Sequence, residues 1–360
     1  MVVDARMINS SGIGVYLKNI LPEIVKKYEL VLLGDTKELS KLSWTKDVKI
    51  IHFTASIYSL KEQFYFPFII PKTDLFWCPH FNAPLFPLRA KRMLTTIYDV
   101  NHLANKKSNS FFKWLYAKLL YNSAVIRSSK VITISEFSKK ELLKYTYIKK
   151  NKIHVIFCGV DYDIFSNKKN SIVKNLPENY ILFVGNIKPH KNLITLLKAY
   201  NKLSEKIKTK FKLVILGKKE GFITPDLKIF RFIEDNNLLK HTFFTGYIED
   251  DEVPGVYQRA KLFVFPSLYE GFGLPILEAM VSKVPVLSSN LASLPEVGGD
   301  SVLYFDPNNP DKLAKIIEES IEDENLLNQL IEKGKIQAKL FSWSISAKEH
   351  IKTIDTLLDK

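Results

Sequence analysis

The chain has 360 residues, 46% of them hydrophobic, and a net charge of +14. That length allows two domains with sizeable cores, and two cysteines, Cys78 and Cys158, at no metal or disulfide spacing exclude a disulfide scaffold and point to a reducing, cytoplasmic setting. The apolar opening Met1-Val2-Val3 is too short for a signal peptide, and no segment is long enough to span a bilayer.

Met1 to Ala5 reads as the end of a first strand. Ser10-Ser11-Gly12-Ile13-Gly14 follows as a loop, and Tyr16-Leu17, Ile20-Leu21 and Ile24-Val25 recur at helical spacing. Strand, glycine loop and helix suggest a Rossmann-like unit, although a short glycine turn is also common for purely steric reasons. Further strands are expected over 30–33, 48–53, 75–78 and 93–97. Pro79-His80-Phe81-Asn82-Ala83-Pro84 is a rigid loop after a strand, and Thr95 to Asp99 is a strand with a polar end. Residues 110–127 predict a helix whose aromatic stripe over 111–121 is expected to be core rather than a membrane contact. Val131 to Ile134 is a strand, and Ser135-Glu136-Phe137-Ser138 opens a helix with capping residues. A last strand of this half covers 153–157.

The charge is concentrated in this half. Residues 1–152 hold 25 Lys/Arg against 11 Asp/Glu, and the remaining 27 basic and 27 acidic residues cancel. Between Asn101 and Lys152 twelve basic residues face two glutamates. Such a patch suits an anionic partner, an acidic membrane surface or nucleic acid. Lysine outnumbers arginine 46 to 6, so a solvated lysine-rich surface explains part of it, and without a recognition motif nucleic acid is not expected.

Residues 161–180 are polar and read as a linker. The strand and helix alternation then restarts. Ile181 to Val184 runs into Gly185 and Pro189-His190-Lys191-Asn192, with a helix from Leu193. Strands follow over 211–216 and 242–244, the latter running into Thr245-Gly246-Tyr247. Leu262 to Phe265 is a buried strand that leads into Glu270-Gly271-Phe272-Gly273-Leu274-Pro275, and a helix follows. A strand is expected over 284–287, and two helices over about 311–341 and 343–358 close the chain. In open α/β sheets ligands sit at the carboxyl ends of strands, and with two such domains the natural site is the cleft between them.

The stretch around Glu270 is the most informative. A helix N-terminus behind a glycine loop binds anions through its free N–H groups. Two carboxylates, Glu270 before the turn and Glu278 two or three residues into the helix, would repel a bare phosphate but accept from hydroxyls. With Lys191 as a cation, the set describes a site for a nucleoside diphosphate sugar. No Asp-x-Asp pair offers to hold a metal, and no cofactor is implied. Each residue also has a plainer reading: Glu270 as a loop carboxylate, Lys191 as a surface lysine, Gly12 and Gly14 as conformational, His80 and Asn82 as braces of a proline turn, Asp99 as a helix cap.

Glu270-x7-Glu278 within Pro-Ser-x-Tyr-Glu-Gly-Phe-Gly-Leu-Pro-x-Leu-Glu-Ala-Met resembles the signature of glycosyltransferase family 4. So do Gly12-Ile13-Gly14-x-Tyr16, Val131 to Ser138, Pro189-x-Lys191-Asn192 and Leu294-Pro295-Glu296-Val297. The resemblance covers nearly the whole chain, and its Gly12 to Tyr16 and Pro189 to Asn192 segments are similar to enzymes that extend lipopolysaccharide O-antigen and related envelope glycans, often mannosyltransferases. It implies an α/β, GT-B architecture: Rossmann-like domains over 1–165 and 166–343, the first completed by a helix over 344–360. It also implies a retaining, metal-independent hexosyl transfer from a nucleotide sugar, GDP-mannose or a UDP-sugar, to a lipid-linked glycan, at the inner face of the cell membrane.

By the same resemblance, Glu278 binds the donor ribose. Glu270 and the Gly271-Phe272-Gly273-Leu274 backbone face the sugar and diphosphate, which Lys191 neutralises. Gly12 and Gly14 approach the phosphates, and Tyr247 lies where the base is held. Asp99 is a catalytic candidate. The pattern departs at Asn186, where relatives often carry arginine, and at Tyr98, where many have histidine. Tyr98, His80 or His102, with Asn82, would then serve the acceptor side. Two other readings survive these departures: a catalytically inactive sugar-nucleotide binder of the same fold, and a nucleotide-sugar epimerase.

Overall fold

Short β-branched and aromatic runs separated by helical stretches fold here into two all-parallel sheets, as crossover connections require. The computed structural model describes residues 1–105, 111–167, 175–217 and 227–359; Ser110 and residues 168–174 of the expected linker fall outside them. The chain divides into two compact units, Met1–Gly159 with Trp343–Lys360, and Val160–Ser342. The division falls six residues before the expected 165/166 boundary. Residues taken as linker instead form a helix, Tyr162–Ser166, that packs on the second unit: Gln258 Nε2 donates to the Phe165 carbonyl at 2.8 Å, and the Phe165 ring meets Tyr257 edge-on.

The first unit carries seven strands: β1 (Val2–Asp4), β2 (Val31–Gly34), β3 (Lys49–His52), β4 (Thr73–Cys78), β5 (Ala90–Thr96), β6 (Lys130–Thr133) and β7 (Ile153–Val155). Their order is β3-β2-β1-β4-β5-β6-β7. The second unit carries β8 (Tyr180–Val184), β9 (Lys212–Leu216), β10 (Thr242–Phe244), β11 (Leu262–Phe265), β12 (Val286–Ser289) and β13 (Val302–Phe305), in the order β10-β9-β8-β11-β12-β13. In each sheet the first strand lies inside, with later strands added on both sides. The chain therefore reverses its direction of travel beside β1 and beside β8. Such a switch point opens a crevice at the carboxyl ends of two neighbouring strands, and ligands bind there.

The second unit packs around Phe183, Leu196, Tyr200, Val264 and Ile317, all fully buried. Asp323 interrupts the long helix expected over 311–341 by accepting from Leu326 N at 3.0 Å, which caps a new helix and leaves Pro310–Ser320 and Glu324–Ala338. The closing helix, Trp343–Leu358, belongs to the first unit. There it lies on Ser11–Val25, with Tyr16 hydrogen-bonded to a fully buried His350 and ringed by Trp77 and Trp343.

Two local expectations change. The helix at the N-terminal glycines begins at Ser11, so Gly12 and Gly14 lie in its first turn rather than in a loop. The Gly14 N–H is committed to the Ser10 carbonyl, and a Cβ there would stand 2.5 Å from the Ile8 oxygen, so close packing requires glycine. The stripe over 111–121 is only half core: Leu120 and Tyr121 are buried, but Phe111, Phe112, Leu115 and Leu119 face outward. Both cysteines are free and buried, as expected.

Candidate functional site

At the second switch point β8 ends in Gly185 and β11 ends before Pro266. Gly185 has φ +150°, and the Lys191 side chain lies 3.6 Å from where its Cβ would be. The chain then makes a single tight turn over Pro189–Lys191 before the helix Leu193–Lys202. Lys191 thus precedes the helix rather than beginning it. Asn192, at φ +54°, ends the turn, and its buried amide donates to the carbonyls of Pro266 at 3.1 Å and Pro307 at 2.8 Å. Leu268 N donates to the His190 carbonyl at 2.8 Å. These bonds tie the two loops together and fix where Lys191 points.

Lys191 Nζ pairs with Glu270 Oε1 at 2.6 Å, with side chains only 17% and 14% exposed, and stands 5.2 Å from the centre of the Phe265 ring. Ser267 Oγ donates to the same carboxylate oxygen at 2.6 Å. Serine three residues before the glutamate is the local signal that could have revealed this partner. Ser293 Oγ is placed to donate to the carbonyls of Glu270 at 2.9 Å and Phe272 at 2.6 Å, which braces the loop from the β12 side. Phe272 itself is buried against Phe341, so only its backbone lines the loop. Gly273, at φ +126°, caps the helix Leu274–Val281, and a Cβ there would lie 2.9 Å from Leu294. Gly271 and Leu274 flank it, and the free end of that helix faces the pair's loop.

Glu278 is the fifth residue of its helix, two or three residues further in than expected. Tyr257 OH donates to its Oε2 at 2.8 Å from a fully buried ring. Burial pushes the Glu278 carboxyl up to about 7, although Tyr257 and the nearby Lys191 charge both favour ionisation. Lys191 thus pairs with Glu270 and is close enough for its charge to act on Glu278. Asn186 stands exposed on the loop after β8, and Tyr247 is exposed with its hydroxyl given to Glu249 at 3.1 Å. Among the described residues no three His, Cys, Asp or Glu side chains cluster to hold a metal.

The candidates of the first unit gather at its own switch point, beside β1 and β4. His80 is buried, with Nδ1 accepting from Asn82 N at 3.2 Å and Nε2 bonded to Tyr58 OH at 3.1 Å. Burial pushes its imidazole down to about 4, so it is neutral near pH 7. Asn82 donates to Glu62 Oε1 at 2.5 Å and accepts from Gln63 at 3.3 Å. Arg6 organises this network: its fork meets Asp4 at 2.9 and 2.7 Å, Nη1 meets Glu62 at 2.7 Å, and the guanidinium packs against both the Phe53 and Phe66 rings, 4.6 and 4.9 Å from their centres. The hydrogen bonds of His80 and Asn82 thus go to residues that brace the proline loop. Sequence reasoning missed Arg6 and Glu62 because they lie 56 residues apart. The Tyr98 and Tyr16 rings meet edge to face, and the Tyr98 hydroxyl is buried with no hydrogen-bond partner among the described residues. Asp99 accepts from Asn101 N at 2.8 Å in the turn before the short helix Asn101–Ala104, whose cap position is Val100, and the His102 ring centre lies 5.7 Å from that of Phe81.

Residues 164–337 match the family model for glycosyl transferases group 1, and residues 11–164 that for glycosyltransferase family 4. The chain is 31% identical over 276 residues to O-antigen chain mannosyltransferase B of Escherichia coli, spanning 73% of this chain and 70% of that protein. It also matches the solved sucrose-phosphate synthase of Thermosynechococcus elongatus, with TM-score 0.79 and 16% identity over 99% of this chain and 98% of that one. Anabaena HepE, solved in complex with UDP and glucose, matches with TM-score 0.78 and 17% identity over 98% of each chain. The fold is thus the expected GT-B class, two Rossmann-like domains with parallel sheets.

Proposed function

The chain belongs to glycosyltransferase family 4, and from that premise we propose that it moves a mannosyl group from GDP-mannose to a lipid-linked glycan with retention of configuration. Glycosyl transfer itself follows from the family; the donor, the acceptor and the stereochemistry are the proposal. The observation that carries it is the Lys191–Glu270 pair at the β8/β11 switch point. A cation held between two cross-tied loops, beside a helix N-terminus, suits a diphosphate leaving group. The mannosyl donor is favoured by the O-antigen mannosyltransferase relative, and a nucleoside diphosphate by HepE's UDP complex.

No side chain is needed as nucleophile. The bond from the anomeric carbon to the β-phosphate oxygen breaks, and the acceptor oxygen bonds to the same face. The acceptor's proton passes to the departing phosphate. The protein's part is orientation and charge: Lys191 stabilises the diphosphate as its charge grows, and Glu270, steadied by Ser267, accepts from sugar hydroxyls. No metal or cofactor is assigned a part.

Calorimetric melting with a panel of nucleotide sugars tests the donor, since a ligand that binds only the native state raises its melting point. GDP-mannose should stabilise most and should yield mannose or mannosylated acceptor on incubation. A larger shift with a UDP-sugar would reassign the donor. Binding without turnover would favour the inactive binder, and conversion of the donor's sugar without transfer would favour the epimerase.

A second expectation concerns pH. A ribose diol that donates both its hydroxyls needs the ionised form of Glu278, whose carboxyl titrates at about 7. Donor affinity should therefore rise about tenfold from pH 6 to pH 8, one pKa unit being a factor of ten. Glu278→Gln should flatten that profile in isothermal titration; an unchanged slope would remove Glu278 from the ribose.

A further inference from the structure

Glu278 has one fixed partner. Its Oε2 accepts from Tyr257 OH at 2.8 Å, and its Oε1 has no hydrogen-bond partner among the described residues. Tyr257 comes from the six-residue helix Val253–Gln258, four of whose residues are buried. A helix this short does not hold itself together in water, so tertiary contacts fix it. Tyr180 OH, at the start of β8, donates to the Val256 carbonyl at 2.6 Å. The Tyr257 ring meets the Phe263 and Phe165 rings at 5.6 and 5.7 Å between centres. These contacts fix the ring and with it the direction of its hydroxyl. Packing alone would be served by phenylalanine, so the hydroxyl aimed at a carboxylate is the part that asks for a function.

We propose, on the reading that Glu278 meets the donor ribose, that Tyr257 is a positioning residue: its hydroxyl holds Glu278 in one rotamer and in its ionised form, with Oε1 left to accept from the diol. Tyr257 touches no substrate and acts through that carboxylate. A donor to a carboxylate favours its charged form, and burial opposes it. Burial is the larger effect here and brings the Glu278 carboxyl to about 7, where the loss of one hydrogen bond decides its charge. Three other helices packed against that of Glu278 carry Asp163, Glu296, Glu324, Glu332, Lys333 and Lys335; Tyr257 and Lys191 are nevertheless the two side chains that shift the carboxyl toward its charged form.

Tyr257→Phe keeps the ring and removes the hydroxyl. Carbon-13 NMR of labelled glutamates in the nucleotide-free protein follows Glu278 directly, its resonance identified by loss in Glu278→Gln. That carboxyl should titrate about one pH unit higher in Tyr257→Phe. Isothermal titration with GDP-mannose, or with the UDP-sugar that melting selects, reads the consequence. The variant should bind about fivefold more weakly than wild type at pH 7, about tenfold at pH 6 and equally at pH 9, as the ionised fraction dictates. An unmoved Glu278 titration overturns the role of Tyr257 whatever the donor does. A loss of affinity by one factor at every pH overturns it too, since a merely structural part would act that way. A moved titration with wild-type affinity throughout shows that Glu278 does not meet the ribose, which removes the premise and overturns the proposal with it.

Discussion

Lys191→Ala should lower turnover by about 10²–10³-fold, the effect of removing one preorganised charge from a developing oxyanion. The loss should fall on kcat more than on KM. The donor diphosphate is already anionic when it binds, but its charge grows as the glycosidic bond breaks, so the lysine contributes most in the transition state. The fold should tolerate the change. Glu270 keeps the Ser267 hydroxyl at 2.6 Å, and its loop is still held by Ser293 and by the Leu268 to His190 bond. Lys191→Arg should recover only part of the rate, because a planar fork does not repeat the single contact that an ammonium makes beneath Phe265. Steady-state kinetics with the preferred nucleotide sugar, alongside a melting curve, checks the point. Near-normal turnover in a folded Lys191→Ala variant would remove this residue from the mechanism.

The donor side was legible because its parts are local. A glycine loop between an apolar strand and a helix spans few residues, and Glu270 and Glu278 stand within one such motif; Lys191, 79 residues from Glu270, was joined to them by the family resemblance rather than by spacing. What escaped depends on distant partners or on weak local signals. β13 is four residues long and only half buried, wedged between Gly299 and Pro307, so its pattern is too short to stand out. The helix Leu60–Ile69 contains Pro67 and hides a glutamate behind its aromatics, which conceals both its period and its direction. The stripe over 111–121 was misjudged for another reason: it supplies buried and exposed positions alike, and periodicity does not say which neighbour covers an apolar face. His80 and Asn82 looked like ligand contacts because polar residues between prolines after a strand often are. Their partners, Tyr58, Glu62, Gln63 and through them Arg6, come from elements that no local pattern joins to that loop.

Arg6→Met should be among the most destabilising single changes in the first unit. It leaves Asp4 and Glu62 facing each other in the interior without their shared cation, and breaking a buried pair in this way costs about 3–5 kcal/mol. For a unit of this size that corresponds to a fall of roughly 6–20 °C in melting temperature. Tryptophan fluorescence reads this unit selectively, since Trp44, Trp77, Trp114 and Trp343 all lie in it. The pH dependence identifies the cause. Burial already raises the Glu62 carboxyl above its ordinary range, and removing Arg6 withdraws the charge that holds it down. The folded variant then binds a proton at Glu62 that the unfolded chain releases, so this contribution to its stability falls as pH rises and is regained toward pH 5.5. Two buried histidines, common to the variant and the wild type, contribute the opposite slope and cancel from the difference between them. His80 and His350, both pushed down to about 4 by burial, stay neutral in the native state. The unfolded chain takes up those protons below about pH 6.5, so native stability falls as pH drops toward 4. The gap between variant and wild type should therefore narrow on acidification. A gap that stayed constant from pH 7.5 to 5.5 would show that Arg6 acts through its packing against Phe53 and Phe66 rather than through its charge.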